Sequence, residues 1–234
     1  MGKPKSSYTL WIAGHILRLL FVLLLIAMIA VLLWRVAFSQ NPPDGLEGIA
    51  GNDALRAALT EHGKITVLEQ EQKKYTEGAD NYAYFNLDGC YFLKEADQVQ
   101  LVLFYNNSTL ERIAEEHGLG EALPRGEEVF SLKITQIVDV TPADFVKASE
   151  NDILTQERVI TPSNCEIATN SLYTFLRYTF DGVALDEDTV VIYLDVCYAD
   201  KSEGTLRLYH RESVSEERLL SGKEQDAVLG IVKE

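Results

Sequence analysis

Three aspartates near residue 185 are the residues of this chain most suited to chemistry. Asp186-Glu187-Asp188 follows an apolar run at 183–185, and Asp181 lies shortly before it. Carboxylates two residues apart can share one hard divalent cation through their oxygens. We therefore predict Asp181, Asp186 and Asp188 as metal ligands, for Ca²⁺ or another divalent cation. The spacing matches no EF-hand, and a solvated acidic loop between two strands explains the same residues.

The Asp-x-Asp pattern at Asp186 and Asp188 also resembles the metal–nucleotide-sugar motif of membrane-anchored glycosyltransferases. Those enzymes alternate strands with helices, and the pattern of this chain does not. A membrane-tethered, metal-dependent transferase or hydrolase that uses these two residues is therefore the alternative function.

Other catalytic constellations are missing from the sequence. There is no Gly-x-Ser-x-Gly motif, and no cysteine has a protease-like context. His62 and His117 each stand in Glu-His-Gly at the end of a predicted helix, where helix capping accounts for both. We predict no catalytic residue, no cofactor-binding residue and no further cofactor.

The three cysteines, Cys90, Cys165 and Cys197, cannot all pair within one chain, and their spacing fits no zinc site. Buried thiols are the simplest interpretation, with a Cys90–Cys197 bridge left open for an oxidising compartment. Asn106 and Asn107 each begin an Asn-x-Ser/Thr sequon, in a segment that also reads as a turn before a helix.

An apolar run from 10 to 38 dominates the organisation of the chain. From Trp11 to Trp34 it would form roughly 36 Å of helix, more than the roughly 30 Å hydrocarbon core of a bilayer. The two tryptophans of the protein bracket the run, as in an interfacial aromatic belt. We predict a transmembrane signal-anchor helix. A secretion signal cleaved after Ser39 is the alternative, but the apolar stretch is longer than an ordinary signal core.

Flanking charge predicts the orientation of this helix. Lys3 and Lys5 precede it without any acidic residue, whereas Asp44 and Glu47 follow it. By the positive-inside rule, the N-terminus faces the cytoplasm and the rest of the chain lies outside. We expect a single-pass plasma-membrane protein whose helix contacts the lipid bilayer, in a bacterial envelope because disulfides look unimportant.

The remainder of the chain is strongly acidic. All 36 acidic residues and 17 of the 21 basic residues follow residue 39, which gives this part a net charge of −19. Such a surface repels nucleic acid and anionic lipid headgroups, so neither is an expected partner of the domain. The charge favours basic partners instead, and we expect a protein partner outside the cytoplasm.

The predicted segments follow from composition and periodicity. They are a cytoplasmic tail (1–9), the transmembrane helix (10–38), a Pro- and Gly-rich linker (39–51) and an extracytoplasmic domain (52–234) whose last residues, 212–234, are ambiguous. Residues 52–62 and 108–117 predict short helices, the second with a Ser108–Glu111 capping box. Asp88-Gly89 predicts a tight hairpin turn, and 216–220 a short helix.

Strands dominate the rest of the domain. Period-two alternation predicts seven to nine strands with no intervening long helix, including 99–105, 129–140, 172–180 and 190–198. The predicted fold is an N-terminal transmembrane helix followed by a mainly antiparallel all-β domain, an immunoglobulin-like β-sandwich with short helical insertions. The predicted function is a membrane-anchored, extracytoplasmic binding or interaction module without catalysis. An accessory subunit of a membrane complex is a further alternative.

Overall fold

The computed structural model describes residues 6–39, 42–43, 45–46, 48–70, 84–140, 154–212 and 216–231. The chain divides into two compact units, 1–41 and 42–234. Tyr82, where period-two alternation predicts that a strand begins, and residues 143–148, where the sequence predicts one helical turn, lie outside the described residues.

The first unit contains one long helix, α1 (Ser6–Ser39). Its stretch from His15 to Arg35 spans 21 residues with a mean hydropathy of 3.1, and none of the most apolar window is buried within the structure. By length and composition this helix could cross a membrane or serve as a signal sequence. The predicted helix over 10–38 is confirmed as a helix.

The second unit consists mostly of antiparallel sheet. The strands are β1 (Thr66–Gln70), β2 (Asn86–Leu93), β3 (Gln98–Asn106), β4 (Phe130–Val140), β5 (Leu154–Ile160), β6 (Asn164–Thr169), β7 (Tyr173–Asp181), β8 (Thr189–Tyr198), β9 (Lys201–His210) and β10 (Glu216–Leu219). They form a six-stranded sheet with the order β10-β1-β2-β3-β7-β6 and a four-stranded sheet with the order β5-β4-β8-β9. The helices are α2 (Asp53–His62), α3 (Leu110–Glu116) and α4 (Gly222–Leu229).

The two sheets share one hydrophobic core. The alternating apolar residues of β3 (Val99, Leu101, Leu103, Tyr105) join those of β4 and β8 in a single buried cluster. Phe130 of β4 lies edge-on to Tyr105 of β3, with 5.4 Å between ring centroids. The Tyr178 hydroxyl of β7 donates a hydrogen bond to the Phe130 carbonyl oxygen at 2.6 Å. The predicted period-two faces of these strands are therefore confirmed.

A second, smaller core covers the opposite face of the six-stranded sheet. It joins α2, α4 and the outer faces of β1 and β2 with the chain that precedes α2 (Ile49, Leu55, Ala58, Leu59, Ile65, Val67, Leu93, Leu220, Val228). Leu46 and Ile49, inside the segment predicted as a linker, are both buried. The chain before α2 also covers β3, because Ala50 and Asn52 form hydrogen bonds with its buried Gln100 and Gln98 side chains.

Helix α2 begins and ends where the sequence predicts. The Asn52 side chain accepts a hydrogen bond from the Leu55 N–H, and Gly63 ends the helix in the left-handed region at φ 68°. Both signals are local, because an N-cap side chain and a left-handed glycine stabilise helix ends without help from the rest of the fold.

The predicted hairpin at Asp88-Gly89 is wrong. These residues lie inside β2, where the register slips between Leu87 and Gly89 as a β-bulge. The extra residue keeps Phe85, Leu87, Cys90 and Phe92 in the main core, which is the face that the hairpin also required. The actual turn into β3 is a 3₁₀ segment, Lys94–Ala96, followed by Asp97 at φ 47°. Alternation therefore identified the buried side chains but could not distinguish a bulge from a turn.

Two further local predictions need correction. The helix predicted at 216–220 is strand β10, which pairs with β1, and the helix follows it as α4 with a capping box at Ser221. The Ser108–Glu111 capping box does not form, because Asn106 accepts hydrogen bonds from the N–H and hydroxyl of Ser108. In both cases a tertiary or neighbouring polar partner outcompetes the local preference.

Candidate functional site

The loop between β7 and β8 carries two of the three predicted metal ligands. Asp186 uses its carboxylate within the loop, where Oδ1 accepts a hydrogen bond from the Thr189 hydroxyl at 2.8 Å. The Thr189 N–H donates to the Asp186 carbonyl oxygen at 3.2 Å. Asp186 and Thr189 therefore close a turn with their own polar groups, which orients the exposed side chains of Glu187 and Asp188 outward.

Arg211 fixes this loop to the four-stranded sheet. Its Nη2 donates to the Asp188 carbonyl oxygen at 2.7 Å, and its Nη1 pairs with Oδ2 of Asp139 at 2.7 Å. The hydrogen bond to the Asp139 carboxylate raises the pKa of the Arg211 guanidinium above its ordinary value. Sequence reasoning missed Arg211, because it lies 22 residues from the loop it holds and belongs to no motif.

Gln136 supports the loop from the interior. This fully buried residue donates from Nε2 to the Ala184 carbonyl oxygen at 2.5 Å and to the Thr189 hydroxyl at 3.1 Å. The sequence signal that could have identified Gln136 is its position among the alternating apolar residues of β4, since a glutamine on a buried face needs hydrogen-bond partners. The loop is therefore held by β4 from within and by Arg211 from outside.

Asp181 belongs to a different network. Its Oδ1 accepts a hydrogen bond from Nε2 of the buried Gln98 at 2.7 Å. Gln98 in turn accepts from Asn52 at 3.0 Å and from Gln100 at 2.8 Å. The position that was predicted as a metal ligand thus helps attach the chain before α2 to the six-stranded sheet.

The structure therefore brings two of the three aspartates to one cavity. Asp186 and Asp188 line a cavity of about 200 Å³ together with Asp139 and Arg158, and Asp181 is not among its lining residues. Within the described ranges, no group of three or more His, Cys, Asp or Glu side chains is arranged to hold a metal ion. A cation site at Asp181, Asp186 and Asp188 stays a prediction.

A second cavity shares Asp186 with the first. It measures about 280 Å³ and is lined by Leu68, Lys94, Leu185, Asp186, Glu187, Tyr209 and Glu217. Pockets for drug-sized ligands typically have about 300–1,000 Å³. Both cavities are smaller than this and charged at their rims, which favours small polar groups or single side chains of a partner over a large organic substrate.

His117 is engaged by a carboxylate from another element. Its Nε2 pairs with Glu203 of β9, and its ring stacks on Tyr198 with 6.3 Å between centroids. The Lys201 ammonium donates to the His117 carbonyl oxygen. These contacts attach the end of α3 to the β8–β9 hairpin. His62, by contrast, is exposed at the end of α2.

The cysteines do not form a reactive or bridged site. Cys90, Cys165 and Cys197 lie in described strands, and none of them is joined in a disulfide. Burial raises the pKa of the Cys165 thiol to about 12. A thiol with so high a pKa is a poor nucleophile at neutral pH, since the thiolate is the reactive form.

Asn107 lies in a network that a glycan would disrupt. Its side-chain nitrogen donates to the Asn170 carbonyl oxygen at 3.0 Å, and its Oδ1 accepts from the Thr174 hydroxyl at 2.6 Å. Asn106 caps the 3₁₀ turn before α3 through Oδ1. Both sequons therefore have structural roles in a turn, as the simpler interpretation proposed.

Period-two alternation predicts that Tyr82, Tyr84 and Tyr91 share one face, for packing or as a partner surface, and the two that the structure describes, Tyr84 and Tyr91, have separate environments. The Tyr84 hydroxyl donates to Glu116, and the Arg112 guanidinium lies 5.0 Å from the centre of the Tyr84 ring. Tyr91 packs against the second core cluster, and burial raises its pKa to about 12. Packing thus accounts for the described tyrosines of this group.

No protein-family model, no curated protein and no solved structure matches this chain.

Proposed function

We propose that this protein is a single-pass membrane-anchored module that displays its acidic β domain outside the cytoplasm and binds a protein partner there. Helix α1 supports the proposed membrane anchor. Its segment from His15 to Arg35 exposes large apolar side chains over 21 residues. Exposed apolar surface of this extent is unfavourable in water, and a lipid bilayer is the environment that removes the cost.

Charge supports the proposed orientation. Lys3 and Lys5 precede the helix, and all 36 acidic residues follow it. A net charge of −19 after residue 39 keeps the domain away from anionic headgroups and favours partners with basic surfaces.

We also propose that the domain is a β-sandwich, because its two sheets share one hydrophobic core. Its strand arrangement differs from that of an immunoglobulin constant domain. Here the first three strands lie in one sheet, whereas the third strand of the immunoglobulin domain joins the second sheet.

The two cavities beside the β7–β8 loop are small, and the carboxylate of Asp186 is used by Thr189. Each cavity is lined by several carboxylates and one basic residue, Lys94 in one and Arg158 in the other, which suits polar contacts with a partner protein better than enclosure of a substrate.

Membrane anchoring and orientation can be tested together on the full chain. Cells expressing the Lys3→Cys or the Glu187→Cys variant are treated with a membrane-impermeant maleimide, and labelling in excess of the unaltered chain is measured. Position 187 is exposed in the folded domain, so its labelling reports topology rather than burial.

The expected result is labelling of Glu187→Cys on intact cells and of Lys3→Cys only after permeabilisation. The protein should also stay in the membrane pellet at alkaline pH with its N-terminal segment uncleaved. The reverse labelling pattern would contradict the orientation. A soluble product that begins after residue 39 would show that the segment is a cleaved signal.

A further inference from the structure

The four edge strands of the two sheets differ in how well they are protected. Natural edge strands avoid unwanted pairing by being short, charged or bulged. β9 has two register irregularities against β8, and β10 has only four residues, three of them charged. β5 carries the adjacent charges of Glu157 and Arg158.

Strand β6 lacks these protections. Its sequence, Asn-Cys-Glu-Ile-Ala-Thr, contains no proline or lysine, and its six pairs with β7 run without a register shift. The one charged side chain, Glu166, accepts a hydrogen bond from Nη2 of the buried Arg177 at 2.6 Å. Ile167 is 39% exposed at the middle of the strand. Among the residues that the structure describes, β6 is thus a regular edge strand, and its own sequence and register contain none of the protections found in the other three.

The register identifies the backbone groups on the open side of β6. The Asn170 N–H donates to the Tyr173 carbonyl oxygen at 2.9 Å, so this pair is hydrogen-bonded. Hydrogen-bonded and non-hydrogen-bonded pairs alternate along an antiparallel ladder. Residues 164, 166 and 168 therefore bond to β7, and the N–H and C=O groups of Cys165, Ile167 and Thr169 point away from the sheet.

We propose that the open edge of β6 binds an extended, positively charged segment of a partner protein by β-strand addition. Backbone hydrogen bonds to residues 165, 167 and 169 supply affinity that does not depend on sequence, and side chains beside the edge supply selectivity. The proposal rests on the proposed role as a binding module, but not on the membrane anchor.

Charge determines the kind of partner. The exposed Glu127 and Glu128 follow Gly126, where an added Cβ would lie 3.2 Å from the Thr169 hydroxyl, so this loop, which also contains the exposed Arg125, lies close to the end of β6. The Glu166 carboxylate is paired with Arg177 but stays partly exposed beside the edge. A second copy of this chain would bring another acidic domain with a charge of −19, whereas a basic strand gains favourable electrostatics.

The test uses the full chain in detergent micelles and a synthetic peptide in which lysine and valine alternate. Binding is measured by fluorescence anisotropy, and amide hydrogen exchange is measured residue by residue. The expected result is new protection at Cys165, Ile167 and Thr169. The amides of residues 164, 166 and 168 serve as an internal control, since they are already bonded to β7.

Two controls separate backbone pairing from simple charge attraction. A peptide of the same sequence with every backbone amide N-methylated keeps its charge but cannot donate, and it should bind at least about tenfold more weakly. Ile167→Pro removes one outward donor without removing a bond to β7, and it should weaken binding by about three- to tenfold. Ile167→Val keeps the donor and should bind like the unaltered chain.

Three outcomes would overturn the proposal. They are equal binding of the N-methylated peptide, binding without protection at residues 165, 167 and 169, and protection that appears without peptide and grows with protein concentration. The last would show that a second copy occupies the edge. If Ile167→Pro does not fold, the exchange data and the N-methylated peptide still decide. None of these results affects the maleimide test of the membrane anchor.

Discussion

Two buried glutamines, Gln98 and Gln100, attach the chain before α2 to the six-stranded sheet, and Gln100 is the one that binds its backbone directly. Gln100 is fully buried, and its side-chain amide forms two hydrogen bonds with the backbone of Ala50. Its Oε1 accepts from the Ala50 N–H at 2.7 Å, and its Nε2 donates to the Ala50 carbonyl oxygen at 2.9 Å. The side chain therefore pairs with this segment much as a neighbouring strand would.

We predict that Gln100→Leu destabilises the domain by about 2–4 kcal/mol. Leucine has a similar volume but leaves the N–H and C=O of Ala50 without their partner, and each such loss typically costs about 1–3 kcal/mol. The hydrophobic gain of leucine offsets part of this cost. For a domain of this size the midpoint of thermal unfolding should fall by about 4–16 °C.

The measurement is thermal and urea unfolding of the full chain in detergent, followed by near-ultraviolet circular dichroism. Amide exchange of residues 46–50 should rise in the same variant, because this segment loses its attachment. Gln156→Leu is the matched control, since Gln156 is exposed on β5 and its replacement should change stability by less than about 0.5 kcal/mol. If Gln100→Leu is as stable as this control, and residues 46–50 stay protected, the argument for the glutamine attachment fails.

Three further predictions concern packing, pH and reactivity. Gly51→Ala should lower the free energy of unfolding in urea by about 1–3 kcal/mol, because a Cβ there would lie 2.7 Å from a backbone atom of α4. Gly120→Ala is the control and should leave the free energy of unfolding unchanged, because there is open space around residue 120. Burial alone would raise the pKa of Glu224, but its hydrogen bonds with Arg218 and within its capping box lower it below the ordinary value. The ionised Glu224 side chain therefore stabilises the fold above its unfolded pKa, near 4.5, and this stabilisation is lost as the pH falls. The melting temperature of the unaltered chain should fall between about pH 5 and 3, and in Glu224→Gln this fall should be smaller. Cys165 should resist iodoacetamide at about pH 8 in the folded protein and react after denaturation, as measured by mass spectrometry, and rapid labelling of the folded chain would contradict its high pKa.

Much of the fold follows from signals that lie within a few residues of each other. The hydrophobic length of α1, the Asn52 and Gly63 ends of α2, and the alternation in β3 and β8 each reflect local geometry that any surrounding fold must respect. The sequence does not predict strands β1 and β6, because their apolar alternation is weak. Both are short strands at or next to a sheet edge, and hydrogen bonds with their partner strands, rather than their composition, keep them extended.

The candidate sites were much less predictable, because they depend on which distant residues meet. The sequence placed Asp181, Asp186 and Asp188 together, yet Gln98 holds the first, while Arg211 fixes the loop of the other two. Spacing along the chain cannot show that a side chain 83 residues away already occupies a carboxylate.

By itself, the sequence determined the long apolar helix, the acidic charge of the remaining chain and the antiparallel, strand-rich character of the domain, since each depends on composition or short-range periodicity. Only the tertiary structure decided the partition of strands between two sheets, the bulge at Asp88 and the exposed edge of β6. Alternation determines which face of a strand is buried, but the backbone hydrogen bonds that select its neighbours are the same for every residue type.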